Sequence, residues 1–409
     1  MKIWIENPFD NLPVEGYRPQ RYWLMARAFA QAGHEVVYWT SGFSHSAKAP
    51  RSLKCAQMAE DDFELKLIPA PAYRKNVCLA RVRNHRLYAR RWLEAARARA
   101  RREGPPDVLI VSMPPLSTGD AAVRLKKEFG CRLIVDIMDA WPDTFRRLFP
   151  KFLRALAPAA LLPMYLSARR LYRAADCITG VCDAYGKLAR RFSRAEFFRA
   201  YHGIAVPGKV GASGGEGSRR LVYIGNLGKG YDLGTVIDAV REMPEFSLDI
   251  AGSGDMESVW RRRAAGAENI RFHGYLAQGE LESLLSRAAV GVIPLADETC
   301  VGLPYKLGDY ALAGLTMVTS LGGECAEMLE RYNAGVRYCD RESLKKAIAE
   351  AAALKPDLPG MLRELDAAVI YPAYVRFAVK SLFEPAQIPN VKNATLQAIG
   401  ENSIICTQF

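Results

Sequence analysis

The chain has 409 residues, of which 50% are hydrophobic and 24% charged, and a formal net charge of +12. Its length exceeds what one hydrophobic core organises and predicts two domains, while its composition excludes a disordered chain. No apolar run reaches the roughly 20 residues of a membrane-spanning helix, and nine scattered cysteines without CxxC spacing indicate neither a zinc site nor a disulfide framework.

The N-terminal residues 2–5 already predict a strand and lack the basic, apolar and small-residue regions of a signal peptide. We therefore expect cytoplasmic residence. The positive charge fits nucleic acid, an anionic membrane or a phosphorylated substrate, and composition does not decide among these partners.

The first half of the chain alternates apolar runs with amphipathic stretches, which is typical of parallel βαβ units. Strands are predicted at 2–7, 35–41, 63–68, 108–112, 132–138 and 177–181, with helices at 18–32, 79–102 and 118–128. Residues 206–218 are rich in glycine and predict a linker.

The alternation restarts after the linker and predicts a second α/β domain. Strands are predicted at 221–225, 246–251, 270–275, 290–294, 316–319 and 336–339, and helices at 232–241, 258–265, 278–287, 304–313, 324–331 and 342–353. Two such domains enclose a cleft, and ligands bind at the carboxyl ends of their strands.

The segment 303–314 predicts a helix that begins at Pro304 and stops at Gly314. Leu303, Leu307, Tyr310 and Ala311 share one face, while Lys306 and Asp309 lie a turn apart on another. The amides around Gly302 and Leu303 would face any nearby anion. The alternative is a capped helix with a surface Lys306–Asp309 pair.

Two further segments place polar groups after predicted strands. Residues 223–232 form a strand, a glycine-rich turn carrying Lys229, and a helix start, which would let a diphosphate approach; a plain turn fits equally. Asp139 follows the strand 132–138, where a carboxylate could accept a hydrogen bond from a sugar hydroxyl; a helix N-cap or loop carboxylate is the alternative.

Taken in order, these segments resemble the family-four retaining glycosyltransferases of the GT-B fold, closest to the bacterial O-antigen and capsule type. The resemblance covers residues 1–383. It rests on residues 33–36, 139–142, 175–183, 225–230, 251–254, 272–275 and 304–314, followed by 323–324.

The resemblance implies an α/β fold of two Rossmann-like domains with parallel sheets facing a cleft. It implies an acceptor-binding domain at 1–205, the linker 206–218, a nucleotide-sugar domain at 219–370, a returning helix at 371–384 and a tail at 385–409.

The resemblance also implies roles for single residues. Lys229 would neutralise the donor diphosphate, and Asp309 would hold the ribose. The stretch of Val301, Gly302, Leu303 and Pro304 would present backbone amides to the donor. Tyr275 would line the nucleobase, Asp139 would touch the transferred sugar, and the loop at Gly16 would close over the donor.

Three positions depart from the family pattern. Val301 stands where the family has a glutamate, so the sugar contact is lost or moves to Glu298. Asn226 replaces an arginine that assists the diphosphate, and Lys306 is expected to compensate. The N-terminal loop has Gly16 without a second glycine.

The expected reaction moves a sugar of the hexosyl or N-acetylhexosaminyl type from a nucleotide diphosphate sugar, such as a UDP-sugar. The expected acceptor is a lipid-linked or glycan molecule in bacterial surface-polysaccharide synthesis. The acceptor would attack on the face that the nucleotide leaves, with no protein nucleophile. Neither cofactor nor metal is expected, since no DxD-type metal motif stands out.

The arginine-rich residues 81–102 and the basic, aromatic and apolar residues 145–166 suit a contact with the inner membrane face. An ordinary buried helix with a solvated basic face remains the alternative. Other readings are an inverting transferase or an epimerase of the same fold, a pseudoenzyme subunit, and a nucleic-acid-binding protein, although no nucleic-acid motif stands out.

Overall fold

A parallel seven-stranded sheet forms the first domain. The computed structural model describes residues 1–52, 63–206, 218–296 and 302–380. The sheet has the order β5-β2-β1-β6-β7-β8-β9. Its strands are β1 (Lys2–Glu6), β2 (Glu35–Ser41), β5 (Glu64–Ile68), β6 (Val108–Met113), β7 (Arg132–Ile137), β8 (Cys177–Gly180) and β9 (Glu196–Arg199), and a short hairpin pairs β3 (Phe43–Ser44) with β4 (Ala49–Pro50).

Helices cover both faces of this sheet, because its central strands carry apolar side chains on both faces and each face must be buried. The helices of the first domain are α1 (Arg21–Gln31), α2 (Leu79–Glu103), α3 (Leu116–Phe129), α4 (Ala157–Ala160), α5 (Leu162–Ala174) and α6 (Asp183–Arg190). Strand β6 is buried at every position.

A second parallel sheet, of six strands, forms the other domain, in the order β12-β11-β10-β13-β14-β15. Its strands are β10 (Arg220–Ile224), β11 (Ser247–Ala251), β12 (Ile270–Gly274), β13 (Val290–Ile293), β14 (Thr316–Thr319) and β15 (Gly335–Arg337). The helices are α7 (Leu233–Arg241), α8 (Glu257–Arg263), α9 (Gln278–Leu285), α10 (Tyr305–Leu312), α11 (Gly323–Arg331), α12 (Arg341–Ala351), α13 (Leu358–Leu365) and α14 (Ala367–Lys380).

The predicted two-domain α/β fold with parallel sheets is confirmed. The predicted strands appear within a few residues of their expected bounds. The elements that were not predicted are β3, β4, β9, α4, α5, α6 and α13. The last helix of the described residues begins at Ala367, not at 371, because Ile370 and Tyr371 continue its buried face through Pro372. Residues 207–217, which make up nearly all of the predicted linker, and the tail 385–409 lie outside the described residues.

A fully buried ion pair ties the first sheet to its covering helices. Arg21 of α1 donates from Nε and Nη2 to the two carboxylate oxygens of Asp136 at 2.7 and 2.8 Å, and both side chains have no exposed surface. Tyr22 and Thr179 donate to the same carboxylate at 2.7 and 2.6 Å. The Tyr374 hydroxyl lies 3.1 Å from that of Thr179, which brings α14 onto the first domain.

Burial alone would raise the pKa of Asp136, but the Arg21 guanidinium and the hydrogen bonds from Arg21, Thr179 and Tyr22 hold that pKa below its usual value. The carboxylate is therefore ionised at neutral pH. In the parts of the chain that the structure describes, no helix combines the length and apolar character needed to cross a membrane.

Candidate active site

Two glycine turns meet at the carboxyl ends of β10 and β11. Gly225 and Gly252 have φ angles of 124° and 139°, which residues other than glycine rarely adopt. A Cβ atom on Gly252 would lie 1.8 Å from the Gly225 carbonyl oxygen. The backbones can therefore touch only because both residues are glycine, and they leave a surface without side chains at the strand ends.

Helix α10 begins beside these turns. Leu303, Leu307 and Tyr310 are buried, as the spacing predicted. The Tyr310 hydroxyl accepts from the Ile224 amide at 3.1 Å and donates to the Val292 carbonyl at 3.2 Å. These bonds join the helix to β10 and β13 and set its start at the same sheet edge as the glycine turns.

The N-terminal turn of α10 carries free amide donors. Pro304 is the N-cap and has extended backbone, with no side-chain cap. Among the described residues, the amides of Leu303, Tyr305 and Lys306 have no acceptor. Unpaired amides at a helix N-terminus, together with the positive end of the helix dipole, favour an anion.

Lys306 extends from this turn toward the glycine turn. Its ammonium nitrogen lies 4.0 Å from the ring centroid of Tyr231 and 4.9 Å from that of Tyr223. It would also lie 3.0 Å from a Cβ atom on Gly225. No described residue accepts a hydrogen bond from it, and desolvation lowers the pKa of Lys306 to about 8. A bound anion would restore the stability of its charged form.

Lys229 and Asn226 lie on the glycine turn, and both are exposed. The contact between Gly225 and Lys306 brings this turn and the start of α10 to one side of the second domain. Lys229 makes no hydrogen bond or ion pair within the described ranges, so its ammonium is free to meet a ligand. The roles assigned to Lys229 and Asn226 from sequence stay predictions.

Asp309 is paired across the domain boundary, and not with Lys306 as in the alternative that the sequence left open. Its carboxylate forms an ion pair with Arg18 of the first domain. The reason is geometric: Lys306 turns toward the rings of Tyr231 and Tyr223, whereas Asp309 lies on the helix face directed at the first domain.

Further contacts hold the two domains together around α10 and α11. The Tyr305 ring stacks on His202 with 3.8 Å between centroids. A Cβ atom on Gly302 would lie 2.1 Å from the Cys182 sulfur, so Gly302 allows close approach of the domains. Glu324 accepts from the Asp183 amide at 2.6 Å. The cleft is therefore narrow at the start of α10.

A cavity of about 380 Å³ opens in the first domain at the carboxyl ends of its strands. Asp139 lines it, and this carboxylate accepts from Thr144 at 2.8 Å and from the Trp141 indole at 3.2 Å. The other lining residues are Asn7, Phe9, Asp10, His45, Asn76, Val77, Arg81, Pro114, Met138, Trp141, Thr144 and Phe145. This mixture of aromatic, carboxylate and amide groups suits a polyhydroxylated ligand.

Arg81 is the cation of this cavity. Its guanidinium carbon lies 5.7 Å from the Phe9 ring centroid and 5.9 Å from that of Trp141. Burial, and then the nearby Arg81 guanidinium, lower the pKa values of His45 and His85 to about 3, so both histidines are neutral. Burial raises the pKa of Asp10 to about 6.

The remaining predicted site residues are dispersed. Gly16 has a φ of 80° on the loop before α1, and Tyr275, which follows β12, is 75% exposed. Glu298 and Val301 lie outside the described residues. Sequence reasoning missed Arg18 and Arg81. Arg18 carries no local signal, and Arg81 begins an arginine run that predicts only a charged helix face.

Comparisons with known proteins agree with this architecture. Residues 19–198 match the family model described as a glycosyl transferase 4-like domain, and residues 218–353 match the model of glycosyl transferases group 1. No curated protein matches the sequence significantly.

Solved structures similar to this chain include the sucrose-phosphate synthase of Thermosynechococcus elongatus, with a TM-score of 0.69, 14% identity, and coverage of 93% of this chain and 99% of that one. HepE of Anabaena, solved in complex with UDP-glucose, has a TM-score of 0.63 and 12% identity, and the match covers 93% of this chain and 100% of HepE. The lipopolysaccharide outer core galactosyltransferase WaaB has a TM-score of 0.58 and 12% identity, and the match covers 93% of this chain and 100% of WaaB.

Two parallel α/β domains with strand ends that meet at a narrow cleft define the GT-B class of folds. Since the two family models match successive domains of the chain, the protein is a glycosyltransferase of the GT-B type.

Proposed function

We propose that the protein transfers a sugar from a nucleotide diphosphate sugar, with its diphosphate held between the glycine turn and the start of α10. The observation that carries this proposal is the Lys306 ammonium, which has no acceptor among the described residues and lies beside unpaired amides. The complex of HepE with UDP-glucose supports a uridine donor for a related fold.

The reaction that suits this arrangement is retaining. The acceptor hydroxyl attacks the anomeric carbon on the face that the diphosphate leaves, and the departing phosphate oxygen takes the hydroxyl proton. The protein contributes position and charge: Lys229, Lys306 and the α10 amides stabilise the charge that grows on the diphosphate. Asp309 binds the ribose, and Asp139 orients a sugar hydroxyl.

The donor is tested by thermal unfolding of the full chain with UDP and GDP. A ligand present at 100 times its Kd adds about 2.7 kcal/mol, which raises the melting temperature by about 5–10 °C for domains of this size. We expect UDP to raise the melting temperature of the wild type and not that of Lys306→Met. Excess EDTA should change neither the melting-temperature shift nor the turnover. Absence of any shift with either nucleotide contradicts the donor class.

The acceptor is proposed to be lipid-linked. Phe152 and Leu156 are 82% and 63% exposed, and Leu162 and Leu166 are 52% and 46% exposed. This exposure argues against the buried helix that the sequence left open. The segment also continues from Trp141 and Phe145, which line the cavity. An apolar surface near the cavity suits an acceptor whose lipid stays in the membrane.

The arginines of α2 fit this surface less well than the sequence indicated. Arg97 and Arg101 pair with Glu128, and Arg90 pairs with Glu94. Part of their charge is therefore compensated within the domain. The membrane contact is assigned to residues 152–166 and to the exposed Arg146 beside them.

Flotation with anionic vesicles tests the membrane contact. We expect the protein to float with the vesicles at low salt, and Phe152→Ser/Leu156→Ser to remain in the bottom fraction, because burial of these side chains supplies the binding energy. Val369→Ser, at a side chain that is 56% exposed on α14, is the matched control. Equal flotation of the double variant and the wild type would contradict this assignment.

An inverting reaction is the second candidate, and Asp10 is the observation that favours it. Asp10 lines the cavity, and its raised pKa of about 6 suits a general base. The anomeric configuration of the product, read by NMR, decides between the two: retention supports the first proposal, and inversion favours Asp10 as base.

A further inference from the structure

Arg18 is a first-domain residue that reaches the second domain at the proposed donor site. It lies on the loop between Gly16 and α1, 291 positions before its ion-pair partner Asp309. Its side chain is 40% exposed, and that of Asp309 is 18% exposed. The guanidinium carbon also lies 6.0 Å from the ring centroid of Tyr305, the first residue of α10.

Arg18 lies against the first turn of α10, where it has two alternative partners: the Asp309 carboxylate and an anion bound at the helix start. Asp309 is four residues after Tyr305, which corresponds to about 6 Å along the helix axis. Arg18 therefore spans the first turn, where the unpaired amides of Tyr305 and Lys306 lie. A swing of the arginine side chain would carry its guanidinium from the Asp309 carboxylate to an anion held at this turn.

Charge balance gives such a movement a cause. A diphosphate brings more than one negative charge, and the second domain faces it with Lys229, the neutral Asn226, and Lys306, whose pKa is only about 8. A ribose hydroxyl bound to Asp309 would compete with Arg18 for the same carboxylate. The freed guanidinium would then meet the diphosphate, for which its planar fork is well suited.

We propose that Arg18 is a donor-binding residue supplied by the first domain, which leaves Asp309 when the nucleotide binds and then contacts the diphosphate. Donor binding and the contact between the domains are coupled through this one side chain. The inference rests on the proposed donor class and adds a residue that the second domain alone does not contain.

The test compares Arg18→Gln, Arg18→Lys and wild type in binding UDP, by calorimetry, and uridine, by NMR titration. We expect Arg18→Gln to weaken UDP binding by roughly 10- to 100-fold, as for loss of a charged hydrogen bond, and to leave uridine binding unchanged. Arg18→Lys should recover part of the loss. Arg262→Gln removes an exposed arginine of α8 as a control for net charge.

The outcomes separate this inference from the donor proposal. If wild type binds UDP and Arg18→Gln binds it equally or more tightly, Arg18 only holds Asp309, and the inference is wrong while the donor class stands. Equal losses for UDP and uridine also overturn it, because the diphosphate is then not what Arg18 contacts. If wild type binds neither UDP nor GDP, the donor class and the inference fail together.

Discussion

Replacement of Lys229 by alanine is expected to lower turnover by ~10²–10³, the usual effect of removing one group that stabilises charge in the transition state. Lys229 is exposed on the turn beside Gly225 and has no protein partner in the described part of the chain. Its loss should therefore leave folding unchanged and affect only the charge that develops on the leaving diphosphate. The measurement is kcat for sugar transfer or donor hydrolysis.

Two variants control this result. Lys229→Arg keeps the charge and should retain much of the activity, while Lys346→Ala removes an exposed lysine of α12 in the same domain and should have no effect. A near-normal kcat in Lys229→Ala would mean that Lys229 does not stabilise the diphosphate. Lys306 and Arg18 would then be the cations that face the donor.

Replacement of Asp136 by asparagine is expected to destabilise the first domain by about 3–5 kcal/mol, because it leaves a buried guanidinium without its counter-charge. Arg21 and Asp136 have no exposed side-chain surface, and Tyr22 and Thr179 donate to the same carboxylate. The melting temperature should fall by about 6–20 °C in a domain of this size.

The control for this variant is Arg90→Ala. The Arg90–Glu94 pair is 75% and 58% exposed, and such surface pairs contribute about 0–1 kcal/mol. The double variant Arg21→Met/Asp136→Leu should be more stable than Asp136→Asn, since it removes both buried charges. A shift of less than 2 °C in Asp136→Asn would mean that the buried pair does not hold α1 to the sheet.

Local pattern in the sequence predicted much of the candidate site. The spacing of Leu303, Leu307 and Tyr310 predicted the buried face of α10. The glycines around Lys229 predicted the turn after β10. Both predictions depend on residues that are close in sequence, where helical period and turn chemistry act directly.

The partners of the charged residues could not be predicted in this way. Lys306 and Asp309 are one turn apart, yet Lys306 packs on Tyr231 and Asp309 pairs with Arg18. Likewise, Arg81 belongs to an arginine-rich helix, but it lines the cavity, whereas Arg97 and Arg101 further along α2 pair with Glu128. Helical spacing places a side chain on a face and leaves open what that face meets.

The sequence by itself determined two α/β domains, most of their strands and helices, and the glycine turn and helix start at the second sheet. Only the tertiary structure decided that Arg18 crosses to Asp309 and that Asp139 shares a cavity with Arg81. The physical reason is that strand order and domain packing join residues hundreds of positions apart, and burial and charge pairing are set by those contacts, which no local pattern records.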